Sequence, residues 1–382
     1  MKNIFHLLSM REIDPETYQP LLRKEMYTES LKFLRQNPID ISKEKLNKIY
    51  SSAWISEEMV IFGTKDKKLC WLNTKNKKIY LIKDYRTDEE KENLQLMMQS
   101  TGIKSMDYGY NKLAISVNNT VDIYRDKKCN HVFKKEKSIK INMNWISNVK
   151  WADYNKILMS SKDGTIKLYN IDTNQNYKLH EYRNHSNDME NSNYCRHFCQ
   201  RDYMIYGLSP NGTIKFFDIK KQKKFYDKSN DLIECVVSKL NKNLFTTGSS
   251  NGVIFFDIRV KEQILEIPNM NELMGTRTLE WYDDNVLSIG GGKNNLSFFD
   301  IRVNRGFIKS ETTTKIYNID KGWVREDDLY ERLIYERLIY AGHDNYSSIY
   351  THCYNQYKNK IFVAGGPTLM ALFGSHITIL HR

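Results

Sequence analysis

Several things are scarce or missing in this chain. Glycine and proline are few, 18 and 6 of 382 residues, while tyrosine (25) and phenylalanine (16) are plentiful; that profile favours strands. The six cysteines, at 70, 129, 195, 199, 235 and 353, form no C-x-x-C pair. In a chain of this size they read as reduced thiols, so an intracellular protein is expected. No apolar run approaches 18 residues, which excludes a membrane-spanning helix. The opening "MKNIFHLLSMREIDPE" has only a short apolar stretch and no small-residue cleavage site, so no secretory leader is expected. Phosphate-binding glycine loops, nucleophile elbows and paired-acid motifs are missing too, and "GGGKNN" (290–295) lacks P-loop spacing. The expectation is a protein that is not an enzyme and needs no cofactor. Cys195-Arg-His197-Phe-Cys199 invites a metal reading, with His180 and His185 nearby. A C-x-x-x-C inside a strand lacks a second ligand pair within reach, so no metal is assigned.

What is present is a repeat. "NGVIFFDIRV" (251–260) returns as "NNLSFFDIRV" (294–303), with Asp257 and Asp300 43 residues apart. "SPNGTIKFFDIK" (209–220) and "SKDGTIKLYNID" (161–172) carry the same turn and alternating strand, and "TKDKKLCWLNT" (64–74) and "SVNNTVDIYRD" (116–126) are weaker copies. Each copy follows another apolar run, as "KILMSS" (156–161) precedes the third, and most are trailed by a linking strand such as "KIYLIK" (78–83). Four short strands at a period of 39–52 residues describe one blade of a β-propeller. A last unit ends on its third strand, so the fold expected is all-β, a seven-bladed WD-repeat-type propeller closed by the N-terminal side. "ISKEKLNKIY" (41–50) is taken as the closing segment. The expected organisation is an N-terminal helical extension over 1–40 and a propeller over 41–382, with a blade-connecting insert at 309–346.

The repeats resemble the WD-repeat family from Leu46 onward, although Phe-Asp or Tyr-Asn stands where Trp-Asp is usual and the Gly-His pairs are missing. Third strands should run to the lower rim and deliver Arg259 and Arg302 there on neighbouring blades. Aromatic-Asp-x-Arg at that place is similar to the docking pattern of the WD-repeat substrate receptors of cullin-4 ubiquitin ligases. "KIYSSAW" (48–54), "KGWVREDDLYERL" (321–333) and "IYTHCYNQYKNKIFVAGGP" (349–367) resemble the factor-twelve branch of those receptors. The resemblance implies a receptor that docks on the damage-specific DNA-binding adaptor through Asp257, Arg259, Asp300 and Arg302. It also implies a target class, proteins whose acidic C-terminal tails end in two glutamates.

"PLLRKEMYTESLKFLRQNP" (20–38) places Leu22, Met26, Tyr27, Leu31 and Leu34 near one face of an amphipathic helix ended before Pro38. Leu22 and Met26 are read as groove-binding anchors on the adaptor, against the alternative of a helix lying back on the propeller. The net charge of +12 calls for an acidic partner. Registering the first strands on an aromatic four residues later puts Lys104, Arg196 and Arg277 at the upper mouth of the channel, beside Tyr50, Ser147 and Tyr350. Lys65, Lys162 and Lys293 hold the turn between second and third strands on the same rim. Six cations at two recurring positions suit a terminal carboxylate flanked by acidic side chains. Two other readings stand beside this one: a nucleic-acid-associated propeller, and a general WD-repeat scaffold.

Overall fold

The computed structural model describes residues 35–39, 46–92, 101–127, 132–141, 145–161, 165–181, 197–201, 204–208, 214–218, 223–228, 236–237, 244–248, 252–257, 259, 262–268, 275–292, 294–301, 314–315, 347–357, 359–368 and 374–381. These form a β-propeller of four-stranded antiparallel sheets, seven of them among the described residues. Sheet 1 runs Ile49–Trp54, Met59–Thr64, Lys68–Asn73 and Lys78–Asp84 from its first strand to its last. The other sheets repeat the order, their first strands being Met106–Gly109, Ile146–Asp153, His197–Arg201, Val236–Val237, Thr276–Trp281 and Ser347–Tyr354. Each of these first strands touches the first strand of the next sheet, and the last touches that of sheet 1. The ring is closed.

Burial in sheet 1 peaks at the second strand and is least at the outermost. In sheet 1 the second strand, MVIFGT, is buried at every residue, while the fourth, KIYLIKD, alternates between exposed and half-buried. A strand covered by sheets on both faces must be apolar throughout; one at the edge can alternate. The apolar residues gather between sheets rather than in one centre. Ile61 and Leu69 of sheet 1 pack on Leu113 and Ile115 of sheet 2, and Phe255 of sheet 5 packs on Leu279 and Trp281 of sheet 6. Phe62 stacks on Phe362 of sheet 7 with ring centroids 5.9 Å apart, both rings fully buried. The hairpins that allow this are short: Tyr110 and Asn111 both have positive φ (55° and 56°), the backbone of a type I′ two-residue turn.

Polar side chains stitch neighbouring sheets across the same gaps. Ser52 Oγ lies 2.7 Å from Thr351 Oγ1, and Trp54 Nε1 donates to Cys353 O at 2.9 Å. Trp151 Nε1 donates likewise to Asp107 O at 3.1 Å, and Ser288 Oγ lies 2.6 Å from His352 Nε2. Burial holds His352 neutral, its pKa lowered to about 3.

Closure differs from the expectation in one respect. The strand that completes sheet 7 is Arg35–Pro38, antiparallel to His376–His381 with Arg35 opposite His381 and Pro38 opposite Thr378. It lies before residue 41, so "ISKEKLNKIY" is not the closing segment, and Ile49 and Tyr50 instead begin the innermost strand of sheet 1. The amphipathic pattern therefore cannot continue as helix through Arg35 and Gln36. Two forces explain this. Proline disfavours helical backbone at Asn37, and without a partner His376–His381 would present an open row of backbone donors and acceptors. Ile39, 5% exposed, then enters the core between sheets 7 and 1. Leu22, Met26 and the rest of the expected helix lie outside the described residues. Of the insert expected over 309–346, Thr314–Lys315 is the fourth strand of sheet 6, and the remainder also lies outside them.

Candidate functional site at the upper mouth of the channel

The first strands all begin on one rim, and there the pairing with the second strand slips. In sheets 1, 3, 6 and 7 one residue is skipped: Tyr50, Ser147, Arg277 and Tyr350. A bulge residue has no partner in the ladder, so its side chain is freed from the in-out alternation and the strand twists at that point. These are four of the positions that the aromatic register assigned to the channel mouth. Tyr50 and Tyr350 meet edge to face with centroids 5.3 Å apart. Burial and Tyr350 push the Tyr50 phenol up, while the charge of Arg277 pulls it down.

Lysines close in from sheets 1 and 2. The amide of Lys65 donates to Lys48 O at 2.7 Å, joining the second-to-third-strand turn of sheet 1 to the segment ahead of its first strand. Both side chains are buried, at 1% exposure for Lys48 and 2% for Lys65. Burial and the neighbouring charge of Lys65 lower Lys48 to a pKa of about 7, and burial lowers Lys65 as well. Lys104 is exposed, but its segment is pinned to the same turn, because Ile103 N donates to Thr64 O at 3.0 Å. Gly102, with φ +68°, makes the approach possible: a Cβ there would stand 2.6 Å from Lys65 Cα.

Three ion pairs stand near this turn among the described residues. Asp66 pairs with Lys68 at 3.3 Å, Asp84 with Arg86 at 2.6 Å, and Glu90 with Lys67. Lys65, Lys104 and Arg277 thus belong to one rim, and Lys48 joins them. Lys162, Arg196 and Lys293 lie outside the described residues. Lys48 was missed in the sequence because it falls two residues ahead of the registered Tyr50.

On the opposite rim, Asp257 ends the third strand of sheet 5 and is 7% exposed. Its carboxylate clasps Arg259: the backbone amide donates to Oδ1 at 2.9 Å, Nε to Oδ1 at 3.0 Å, and Nη2 to Oδ2 at 2.6 Å. The hydrogen bonds raise the Arg259 pKa, and its side chain remains 68% exposed. Asp84 and Arg86 form the same clasp at the upper rim. The clasp is therefore a local property of Asp-x-Arg after a strand, and what sets Arg259 apart is the rim on which it stands. Asp300 ends the third strand of sheet 6 and is 1% exposed; Arg302 lies outside the described residues.

Among the described residues no group of three or more His, Cys, Asp or Glu side chains is placed to hold a metal ion, and no helix is long and apolar enough to cross a membrane. Compared with known families, the chain matches the one described as DDB1- and CUL4-associated factor 12 beta propeller over residues 32–201 and 234–380. The first match begins just ahead of the closing strand Arg35–Pro38, and the second ends within the strand it pairs with.

Proposed function

This chain belongs to the DDB1- and CUL4-associated factor 12 β-propeller family, and on that footing we propose that it is a non-catalytic substrate receptor of a cullin-4 ubiquitin ligase inside the cell. The lower rim docks on the damage-specific DNA-binding adaptor through Arg259 and Arg302, oriented by Asp257 and Asp300. Leu22 and Met26 add a helix in a groove of that partner. The upper mouth receives acidic C-terminal tails ending in two glutamates, with Lys65, Lys104, Lys162, Arg196, Arg277 and Lys293 as its cations, and Lys48 added by the geometry. The observation that supports the upper-mouth reading is that buried Lys48 and Lys65 and the segment of Lys104 are tied together on the rim where Arg277 is bulged from its strand. A tail of this kind brings three negative charges, two from side chains and one from the terminus.

Fluorescence anisotropy tests the upper mouth: a peptide ending in two glutamates should bind, and the same peptide amidated, or ending in two glutamines, should bind far more weakly. Equal affinity for the free-acid and amidated peptides would overturn the tail reading. Copurification with the adaptor tests the lower rim, and Arg259→Glu with Arg302→Glu should abolish it while the β-sheet circular dichroism stays unchanged.

A further inference from the structure

The position two residues ahead of each mouth residue recurs around the upper rim. Where it is described it holds Lys48, Gly102, Trp145, Gly275 and Ser348, in sheets 1, 2, 3, 6 and 7. In sheets 2, 3 and 6 the backbone there is left-handed, with φ of 68°, 45° and 64°. Glycine takes that conformation in sheets 2 and 6 without steric cost. Sheet 3 imposes it on a tryptophan, a bulky residue for which positive φ is an outlier. The other described non-glycine residues with positive φ are lysines, asparagines and one tyrosine, all in hairpin turns. Strain held at a single place on a rim points to a use for the side chain it carries.

Nearly half of the Trp145 side chain stays in water, at 47% exposure. Its place on the rim is fixed by the same tie that fixes Lys104. Ile146 N donates to Asn118 O at 2.7 Å, as Ile103 N donates to Thr64 O at 3.0 Å, so each entry to a first strand is joined to the sheet before it. Lysines therefore occupy the rim at sheets 1 and 2, and an aromatic side chain follows at sheet 3. We infer that Trp145 sets a second specificity at the upper mouth: it takes an apolar side chain of the acidic tail, a few residues ahead of the two terminal glutamates. The inference rests on the tail reading and narrows the substrate class to acidic tails with an apolar residue upstream. The cations hold the end of the tail, and a segment continuing around the rim from sheets 1 and 2 meets sheet 3 next. A further cation there would favour another acid. An indole favours a side chain that itself gains by leaving water.

The test is anisotropy titration of the full chain with peptides ending in two glutamates, carrying Leu or Gly at the third, fourth or fifth place from the C-terminus. At one of these places Leu should bind about fivefold more tightly than Gly, the effect of partly burying one apolar side chain. Trp145→Gly, which restores the residue found in sheets 2 and 6, should shrink that ratio to under about twofold. Trp145→Asn, also tolerant of positive φ, should do the same, and Trp145→Phe should keep most of the preference. A wild-type chain that shows no preference for Leu at any place, or glycine and asparagine variants that retain the full ratio, would overturn this inference alone. A wild-type chain that binds none of the diglutamate peptides would overturn the tail reading and this inference with it.

Discussion

The two mouths of one channel are built from the two ends of the same strands, yet their described residues differ in charge. At the upper mouth, bulges at Tyr50, Ser147, Arg277 and Tyr350 release side chains from the ladder, and buried lysines crowd behind them. At the lower mouth the strands end on Trp54, Trp281 and Tyr354, with carboxylates between them. The strand middles are alike in both directions: buried, apolar, and packed sheet on sheet. The contrast teaches that the core fixes where the rims are, while the few residues at strand ends decide what each rim presents.

That contrast presupposes a closed ring, and opening it should have the largest effect of all. Removing residues 1–38 deletes the strand paired with His376–His381. The expected outcome is a chain that fails to give a cooperative thermal transition, or melts far below the intact protein, whereas removing residues 1–30 leaves the melting curve nearly unchanged. A propeller that melts normally without residues 1–38 would mean that closure does not depend on Arg35–Pro38.

Next in size is the upper mouth. Arg277→Ala or Lys65→Ala should each weaken a diglutamate-ended peptide by about 2–5 kcal/mol, because a buried anion loses its partner. Anisotropy titration checks this, and loss of less than about threefold in both variants would reduce these cations to a solvated rim.

A smaller effect sharpens the same site through pH. Lys48 has a folded pKa lowered to about 7 against an ordinary 10.5. Between those two values the unfolded chain binds the proton and the folded chain does not. The penalty of burying this charge is fully present below about pH 7, and stability rises as pH climbs from about 7 toward 10.5. An acidic tail favours the charged lysine, so its affinity should rise a few-fold as pH falls from about 8.5 to 6.5. Lys48→Met should flatten that dependence; an unchanged slope in this variant would assign the titration elsewhere. The smallest expected effect is none: Lys223→Ala, at the start of the fourth strand of sheet 4 on the lower rim, should leave peptide affinity within error.

Much of this was legible in the chain before folding. The FFDIRV strings are third strands ending on Asp257 and Asp300, and "KIYLIK" is the outer strand of sheet 1. Registering first strands on Trp54, Trp151, Trp281 and Tyr354 located the bulges, because one aromatic anchors each strand end and the mouth lies a fixed distance upstream. The closing strand was misplaced because four residues, RQNP, carry no repeat signal; only their pairing with the last strand makes them a strand. Lys48 was overlooked for a related reason. Nothing in "NKIY" distinguishes a buried lysine from a solvated one, and its burial comes from Lys65 and Gly366, residues 17 and 318 positions away.

The sequence by itself determined the repeat, the strand alternation and the sign of the charge at each recurring position, because these are local patterns with a fixed period. Tertiary structure alone decided which segment seals the ring, which lysines are pressed together out of water, and which acids gather at the lower mouth. Those outcomes depend on contacts between residues far apart in the chain, which exist only once the first strand of sheet 1 has met that of sheet 7.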